Sequence, residues 1–325
     1  MKIDYNNLIK KNNLPTPGAK IVVAMSGGVD SSVAAALLQN AGYEVIGVTM
    51  KLYEGGSKKK SKACCAGADI ADARKVSKKL GIKHYIIDYK NRFKECVIDD
   101  FVDSYLKGQT PIPCIRCNQT VKFTDLIDFT KSLDCSFLAT GHYVRREENK
   151  GVSSLFQAKD NKKDQSYFLF STTQEQLKFL RFPLGNFTKS KIRELASYYK
   201  LEVAQKPDSQ DICFIPDGNY REFIKMKKPE SQKKGVIETF NGRVIGMHNG
   251  ILDYTIGQRR GIGVGGIKGK KVHEPLYVLK IDKKNNKIIV GPREKLLKFY
   301  IHVKDINFFN NKLPIRTFKA LIKIR

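Results

Sequence analysis

Cys114 and Cys117 stand three residues apart in "TPIPCIRCNQTVKF" (110–123), flanked by prolines and an asparagine. Two thiols at that spacing suit half of a zinc site, a redox dithiol, part of an iron–sulfur site, or a nucleophile with a neighbour. A second stretch, "AMSGGVDSSV" (24–33), offers different chemistry. Gly27 and Gly28 let the backbone turn tightly and approach a ligand. Backbone N–H groups and a following helix N-terminus then converge on one spot, as an anion such as phosphate requires. The stretch from Ala24 and Met25 through Ser26, Gly27, Gly28, Val29, Asp30 and Ser31 is therefore a candidate phosphate cradle, with the serine hydroxyls as further donors. Asp30 beside phosphates makes sense where a Mg²⁺ bridges them. The loop has neither the Gly-Lys-Ser/Thr ending of a Walker loop nor the G-x-G-x-x-G of a dinucleotide loop.

Positioning such groups takes a scaffold, and residues 20–143 alternate apolar strands with helical stretches. "KIVVAM" (20–25), "EVIGVTM" (44–50), "KHYIIDY" (83–89) and "CSFLATGHY" (135–143) read as strands, the last with its loop. Between them lie helices at "SSVAAALLQNAG", "DIADARKVSKKLG" (69–81), "FKECVIDDFVDSYLKG" (93–108) and "VKFTDLIDFTKSL" (121–133). This rhythm predicts an α/β, doubly wound parallel sheet. Met50 and Gly141 fall at strand C-terminal ends, where open sheets bind ligands, so both are candidate contacts for the ligand whose phosphates the loop would hold.

Residues 144–160 read as a polar hairpin, 164–227 as mainly helical, and "KKPESQKK" (227–234) as a linker. From Gly235 onward short β-segments and glycines predict a small β-barrel-like domain. "EPLYVLKIDKKNNKIIVGP" (274–292) carries a strong hairpin pattern, "GIGVGGIKGKK" (261–271) a flexible basic loop, and "FKALIKIR" (318–325) looks like the middle of a strand. The predicted organisation is an N-terminal extension (1–19), a nucleotide domain (20–160), a small helical central domain (161–232) and a β domain (233–325).

A chain of 325 residues is longer than one core usually organises, in keeping with several domains. Seven cysteines are too few for a disulfide scaffold and act in a reducing compartment as thiols, ligands or catalysts. No apolar run of about 18 residues predicts a membrane span, and the N-terminus lacks a secretory core, so the expectation is a cytoplasmic protein. The net charge of +27 arises from 59 Lys and Arg against 32 Asp and Glu. A Lys-rich genome is the plainer source of such a balance. A polyanionic partner is the better one, because Lys and Arg attract phosphates over long range and release counterions on contact.

"SGGVDSS" after a hydrophobic strand resembles the pyrophosphate loop of the ATP pyrophosphatase superfamily. "TPIPCIRCNQTVKF", "LATGHY", "KDQSYFL" (163–169), "KPDSQDICFI" (206–215) and "TIGQRRGIGVGG" (255–266), in that order, resemble the tRNA-specific 2-thiouridylase family. The likeness runs from about residue 20 to the end. It implies ATP and Mg²⁺ as cofactors and, as partners, a tRNA with a wobble uridine and a persulfide sulfur carrier or cysteine desulfurase. The implied reaction adenylates the 2-oxygen of that uridine, and a persulfide sulfur then displaces AMP to give 2-thiouridine. Cys213 matches the family's persulfide-carrying cysteine and Cys117 its nucleophile. Lys163, Asp164 and Gln165 match a segment that contacts tRNA, and His142 another tRNA contact. Arg259 and Arg260 would add basic contacts from the β domain.

The sequence also departs from the family. Many members carry an Asp where Cys114 stands, so that residue's role is not transferred. Cys114, Cys117 and Cys213 together match the thiol set with which some related tRNA thiolases hold an iron–sulfur cluster. Cys64 and Cys65, before the "DARKV" helix, read as incidental. The family's β domain normally continues some tens of residues further, which predicts a shortened or incomplete β domain here. Two other readings stay open at this point: an iron–sulfur-dependent tRNA thiolase, and a small-molecule adenylating ligase built on the same loop.

Overall fold

The computed structural model describes residues 3–53, 67–208, 211–215, 218–229, 232–264, 275–309 and 317–323. Cys64 and Cys65 lie outside the described residues, as do parts of the basic loop and of the linker around residue 230.

The chain forms two compact units, one of residues 1–97, 113–216 and 306–325, the other of residues 98–112 and 217–305. In the first, β1 (Lys20–Ala24), β2 (Glu44–Lys51), β3 (Lys83–Asp88) and β4 (Phe137–Thr140) are all parallel. The apolar runs of β1 and β2 are buried nearly throughout, as in a sheet covered on both faces. A hairpin of β5 (Val144–Asn149) and β6 (Val152–Gln157) follows where the sequence pattern turns polar. A two-residue strand, β7 (Leu180–Arg181), extends the parallel sheet beyond β4, giving the order β3-β2-β1-β4-β7. The chain works outward from β1 to β3 and then returns to β4, so the strand order reverses between β1 and β4. A crevice opens at the C-terminal ends of strands at such a switch point.

Two helices near the N-terminus pack into the core of this sheet. In α1 (Tyr5–Lys11), within the N-terminal extension, Asp4 caps the start and Leu8 reaches the core. In α2 (Val29–Asn40), residues Val29 and Ser31 through Leu38 are buried, because neighbours cover both sides of the helix. The remaining helices of this unit include α3 (Gly67–Leu80) and a short α4 (Lys90–Phe93) that runs on through a π-helical stretch, Lys94–Asp99. In the second unit, α5 (Asp100–Leu106) buries Phe101, Val102 and Tyr105. Back in the first, α6 (Pro113–Cys117) passes through a π-helical stretch, Asn118–Asp125, into α7 (Leu126–Ser132). The sequence reading began this helix at 121. It begins at Pro113, whose fixed φ suits a first helical position.

Next come α8 (Gln174–Phe179), closed by a capping box on Thr173, and α9 (Lys189–Tyr198), capped by Thr188. Ile192, Leu195 and Ala196 of α9 belong to the same core as β1 and α2.

In the second unit, α10 (Tyr220–Lys227) precedes a sheet of β8 (Gly235–Thr239), β9 (Val244–His248), β10 (Tyr277–Asp282) and β11 (Lys287–Gly291). The order is β10-β11-β8-β9, with β10 and β11 paired as the predicted antiparallel hairpin. Its core is Ile237, Tyr254, Ile262, Val278, Ile288 and Val290. Residues 318–323, read from sequence as a strand, are irregular, since no described strand pairs with them.

Candidate functional site

From Ala24, the last residue of β1, the chain enters the glycine loop. Gly27 sits at φ +73°, a region side chains rarely adopt, and a Cβ there would lie 2.0 Å from the carbonyl oxygen of Asp69. The loop therefore fits against the start of α3 only as glycine. Gly28 is the N-cap of α2 and has no side chain to cap it. A Ser or Asp there would satisfy first-turn N–H groups; glycine leaves them for an external anion.

Hydroxyls set the loop's shape. The Ser26 N–H donates to Ser31 Oγ at 3.1 Å, and Ser31 and Ser32 donate to the Gly28 carbonyl at 3.3 and 2.8 Å. Ser31 is buried and belongs to the frame of the loop, whereas Ser26 is exposed. The cradle fits the phosphates of ATP: a donor-lined turn and an open helix N-terminus at the switch point of the sheet.

The other predicted nucleotide residues divide by role. The Met25 side chain is buried, with its sulfur against Gly47 and accepting from Ser77 Oγ at 3.4 Å. Met50 is buried at the end of β2. Gly141 follows β4, and a Cβ on it would lie 2.8 Å from the Ser31 nitrogen. The loop after β4 can touch the first turn of α2 because this residue is glycine.

Asp30 is engaged from two sides. Its Oδ1 accepts from Tyr143 Oη at 2.7 Å, and its two oxygens accept from Lys189 Nζ at 2.7 and 2.8 Å. Lys189 also pairs with Asp208 at 2.8 Å. Asp208 takes two more cations, Lys163 at 2.7 Å and Arg193 at 3.0 Å. Burial works against the Asp208 carboxylate, but the hydrogen bonds from Lys163 and Lys189 outweigh it and lower its pKa to about 2.

Lys206 donates to the Gly27 carbonyl at 3.0 Å and to Asp69 and Asp72 at 2.6 Å each. Burial opposes its charge; the bonds to Asp69 and Asp72 prevail and raise its pKa. Both Lys206 and Asp208 belong to "KPDSQDICFI", the motif that carries Cys213. Sequence reasoning missed Lys189, Arg193, Lys206, Asp208, Asp69 and Asp72. The only local hint was the presence of Lys206 and Asp208 inside a motif already singled out.

The structure assigns unequal surroundings to the cysteines. Cys114 is exposed and Cys117 is buried at 6% exposure, both on the single turn of α6. The helix turns π-helical immediately after Cys117, an irregularity common at functional sites. Asn118 is buried there and donates to the Phe168 carbonyl at 3.1 Å, tying the helix to the segment after residue 165. Cys213 is half-buried, and Phe214 behind it packs edge-on against Phe93 at 5.7 Å. Among the described residues no group of three or more His, Cys, Asp or Glu is gathered as a metal ion would need. Cys114, Cys117 and Cys213, the possible cluster ligands, form no such group.

The predicted tRNA segment is largely occupied within the fold. Asp164 accepts from the Ala158 N–H at 2.9 Å, Ser166 Oγ at 2.7 Å and Lys323 Nζ at 3.1 Å. Gln165 Oε1 accepts the Tyr143 N–H at 2.9 Å, which fixes the backbone beside His142. Lys163 holds Asp208, and its side chain is 39% exposed. His142 lies between Phe123 and Phe182, with Nδ1 2.8 Å from Thr140 Oγ1. Burial, helped by Lys122, pushes its pKa down to about 3, so at neutral pH it is an uncharged hydrogen-bonding group. In the second unit, Arg259 and Arg260 are exposed on a loop held by a bond from the Gly257 N–H to the Val278 carbonyl at 2.8 Å.

Two family models match the chain: a tRNA methyl transferase HUP domain over residues 19–217 and a tRNA methyl transferase PRC-barrel domain over residues 221–292. A tRNA-specific 2-thiouridylase MnmA from Wolbachia sp. subsp. Drosophila simulans (strain wRi) is 52% identical over 94% of this chain and 81% of its own. The protein of the same name from Rickettsia massiliae is 53% identical over 96% and 85%, and that from Parvibaculum lavamentivorans 50% over 97% and 80%.

Proposed function

The chain belongs to the tRNA-specific 2-thiouridylase MnmA family, and from that premise we propose how its own residues convert the wobble uridine of tRNA to 2-thiouridine. The observation that carries the reading is the attachment of the Cys213 motif to the pyrophosphate loop through Lys206 and Asp208. It ties the thiol segment to the element that holds ATP.

The reaction has two halves. The uridine 2-oxygen attacks the α-phosphorus of ATP and pyrophosphate leaves, which turns a poor leaving group into a phosphate ester. The glycine loop and the open N-terminus of α2 bind and orient the phosphates. Mg²⁺ bound with the phosphates would offset the charge that departs with pyrophosphate. Asp30, the candidate ligand, accepts from Tyr143 and Lys189, and its Oδ2, which takes one hydrogen bond, keeps a lone pair for the metal.

A terminal persulfide sulfur on Cys213 then attacks C2, and AMP leaves. The Cys117 thiolate attacks the Cys213 sulfur, forming the Cys117–Cys213 disulfide and releasing the thiolated base, and a reductant restores both thiols. A persulfide carrier or a cysteine desulfurase reloads Cys213. His142, neutral and beside Gly141, is a hydrogen-bonding partner for the base rather than a cation for phosphate. Lys163, Arg259 and Arg260 supply phosphate contacts, while Gln165 fixes the backbone beside His142 and Asp164 ties its own segment to Ala158. No step uses an iron–sulfur cluster, and Cys114, exposed on α6, has no assigned role. The setting is the cytoplasm, where tRNA and ATP are both present; no described helix is long and apolar enough to cross a membrane.

Nucleoside mass spectrometry after incubation of tRNA with ATP, Mg²⁺ and a persulfide source tests this reading. A gain of 2-thiouridine that vanishes in Cys213→Ser supports it. Full turnover by that variant overturns it.

A further inference from the structure

We propose that Lys206 and Asp208 are positioning residues that clamp the Cys213 segment onto the ATP loop, and that this clamp sets the reactivity of the Cys213 thiol. The proposal rests on the reading of Cys213 as the persulfide carrier.

Each clamp residue is saturated. The three donors of the Lys206 ammonium meet three acceptors: the Gly27 carbonyl in the loop, and Asp69 and Asp72 at the start of α3. Asp208 meets three cations, Lys163, Lys189 and Arg193, and Lys189 in turn holds Asp30 on the other side of the loop. Arg193 also donates to the carbonyls of Ala204 and Lys206 at 2.8 and 3.0 Å, so the approach to the motif is tied to α9 as well.

Four residues lie between Asp208 and Cys213, so even a fully extended chain keeps the two Cα atoms within ~18 Å. Phe214 and Ile215, both buried, pin the far side of the thiol. The thiol lies in the chain between two anchored points, Asp208 and Phe214. Cutting one end releases it.

Neither Lys206 nor Asp208 has a part in bond-making. Lys206 donates to two carboxylates and a loop carbonyl, and Asp208 accepts from three cations, so their effect reaches the reaction through the placement of Cys213. A merely structural role predicts a different outcome: loss of either residue would loosen the whole first unit, including its core.

The test measures iodoacetamide alkylation of individual cysteines by peptide mass spectrometry in the full chain, comparing wild type with Lys206→Met and Asp208→Asn. Cys135, buried at the foot of β4, reports general loosening, and exposed Cys114 reports the intrinsic rate. The clamp predicts Cys213 alkylation faster by about tenfold in both variants, the size expected for losing charge-assisted hydrogen bonds. Cys135 and Cys114 stay at wild-type rates, and Lys206→Arg restores most of the protection. Unchanged Cys213 reactivity, or acceleration only in step with Cys135, overturns the proposal. Thiolation by the wild type is measured alongside. Its absence counts against the assigned reaction and leaves the clamp standing; an unchanged Cys213 rate does the reverse.

Discussion

The Lys189 ammonium lies 2.7 Å from Asp30 and 2.8 Å from Asp208. One nearly buried cation therefore joins the pyrophosphate loop to the segment that leads to Cys213. Replacing it with an isosteric apolar residue leaves two partly buried carboxylates facing each other. Lys189→Met is expected to lower unfolding free energy by about 1–3 kcal/mol, as for a lost charged hydrogen-bond pair that keeps some solvent. It should also raise KM for ATP, because Asp30 loses the partner that fixes it. Urea unfolding and initial rates at varied ATP check the two parts.

Gly27→Ala tests the loop itself. The residue must hold φ +73° with its Cβ position filled by the Asp69 carbonyl 2.0 Å away. A methyl group cannot share that space, so either the loop or the start of α3 must move. The expected result is a loss of ATP binding of at least about tenfold by calorimetry, with destabilisation of about 1–3 kcal/mol from the backbone strain.

His142 gives a pH prediction. Its folded pKa is lowered to about 3 by burial and by Lys122, against an ordinary value of 6.5. The unfolded chain therefore binds a proton more readily than the folded one between those values. The contribution of the neutral ring to stability is complete above 6.5 and is lost as pH falls from there toward 3. An NMR titration should show no protonation of His142 between about pH 5 and 8. Replacing it with Gln should leave the pH profile of thiolation in that window unchanged in shape. A His142 transition near 6.5 would contradict the assignment of a neutral ring.

The loop was legible because its chemistry is local: two glycines, serines and an acid within seven residues, after a buried strand, leave few structures open. Strands β1 through β4 and the β10–β11 hairpin were legible for the same reason, since period and turn residues lie side by side. The clamp was not. Lys189 meets Asp30 across 159 residues of chain and Lys206 meets Gly27 across 179. In a Lys-rich sequence each reads as one more solvated cation. Strand β7 was missed because two residues carry no period, and the helix start at Pro113 because the apolar spacing becomes visible only later. The π-helical stretches, which change the phase of a helix after Phe93 and Cys117, also leave no periodic trace.

The second unit contributes a separate prediction. Arg259 and Arg260 are exposed and assigned to tRNA phosphates. Alanine at either position should weaken tRNA binding at low salt and reduce the slope of log K against log salt by about 1 each. ATP binding by the first unit should be unaffected. A variant that loses tRNA affinity with the salt slope intact would point away from phosphate contact.

The central claim is that Cys117 and Cys213 act as a thiol pair on an ATP-activated uridine. A single turnover without reductant tests it most directly. Cys213 is loaded with persulfide, tRNA and MgATP are added, and after quenching with an alkylating agent the 2-thiouridine and the Cys117–Cys213 disulfide are both quantified by mass spectrometry. The account predicts one disulfide for each 2-thiouridine, and neither product when ATP is omitted. Formation of 2-thiouridine with both cysteines recovered as alkylated thiols would contradict it.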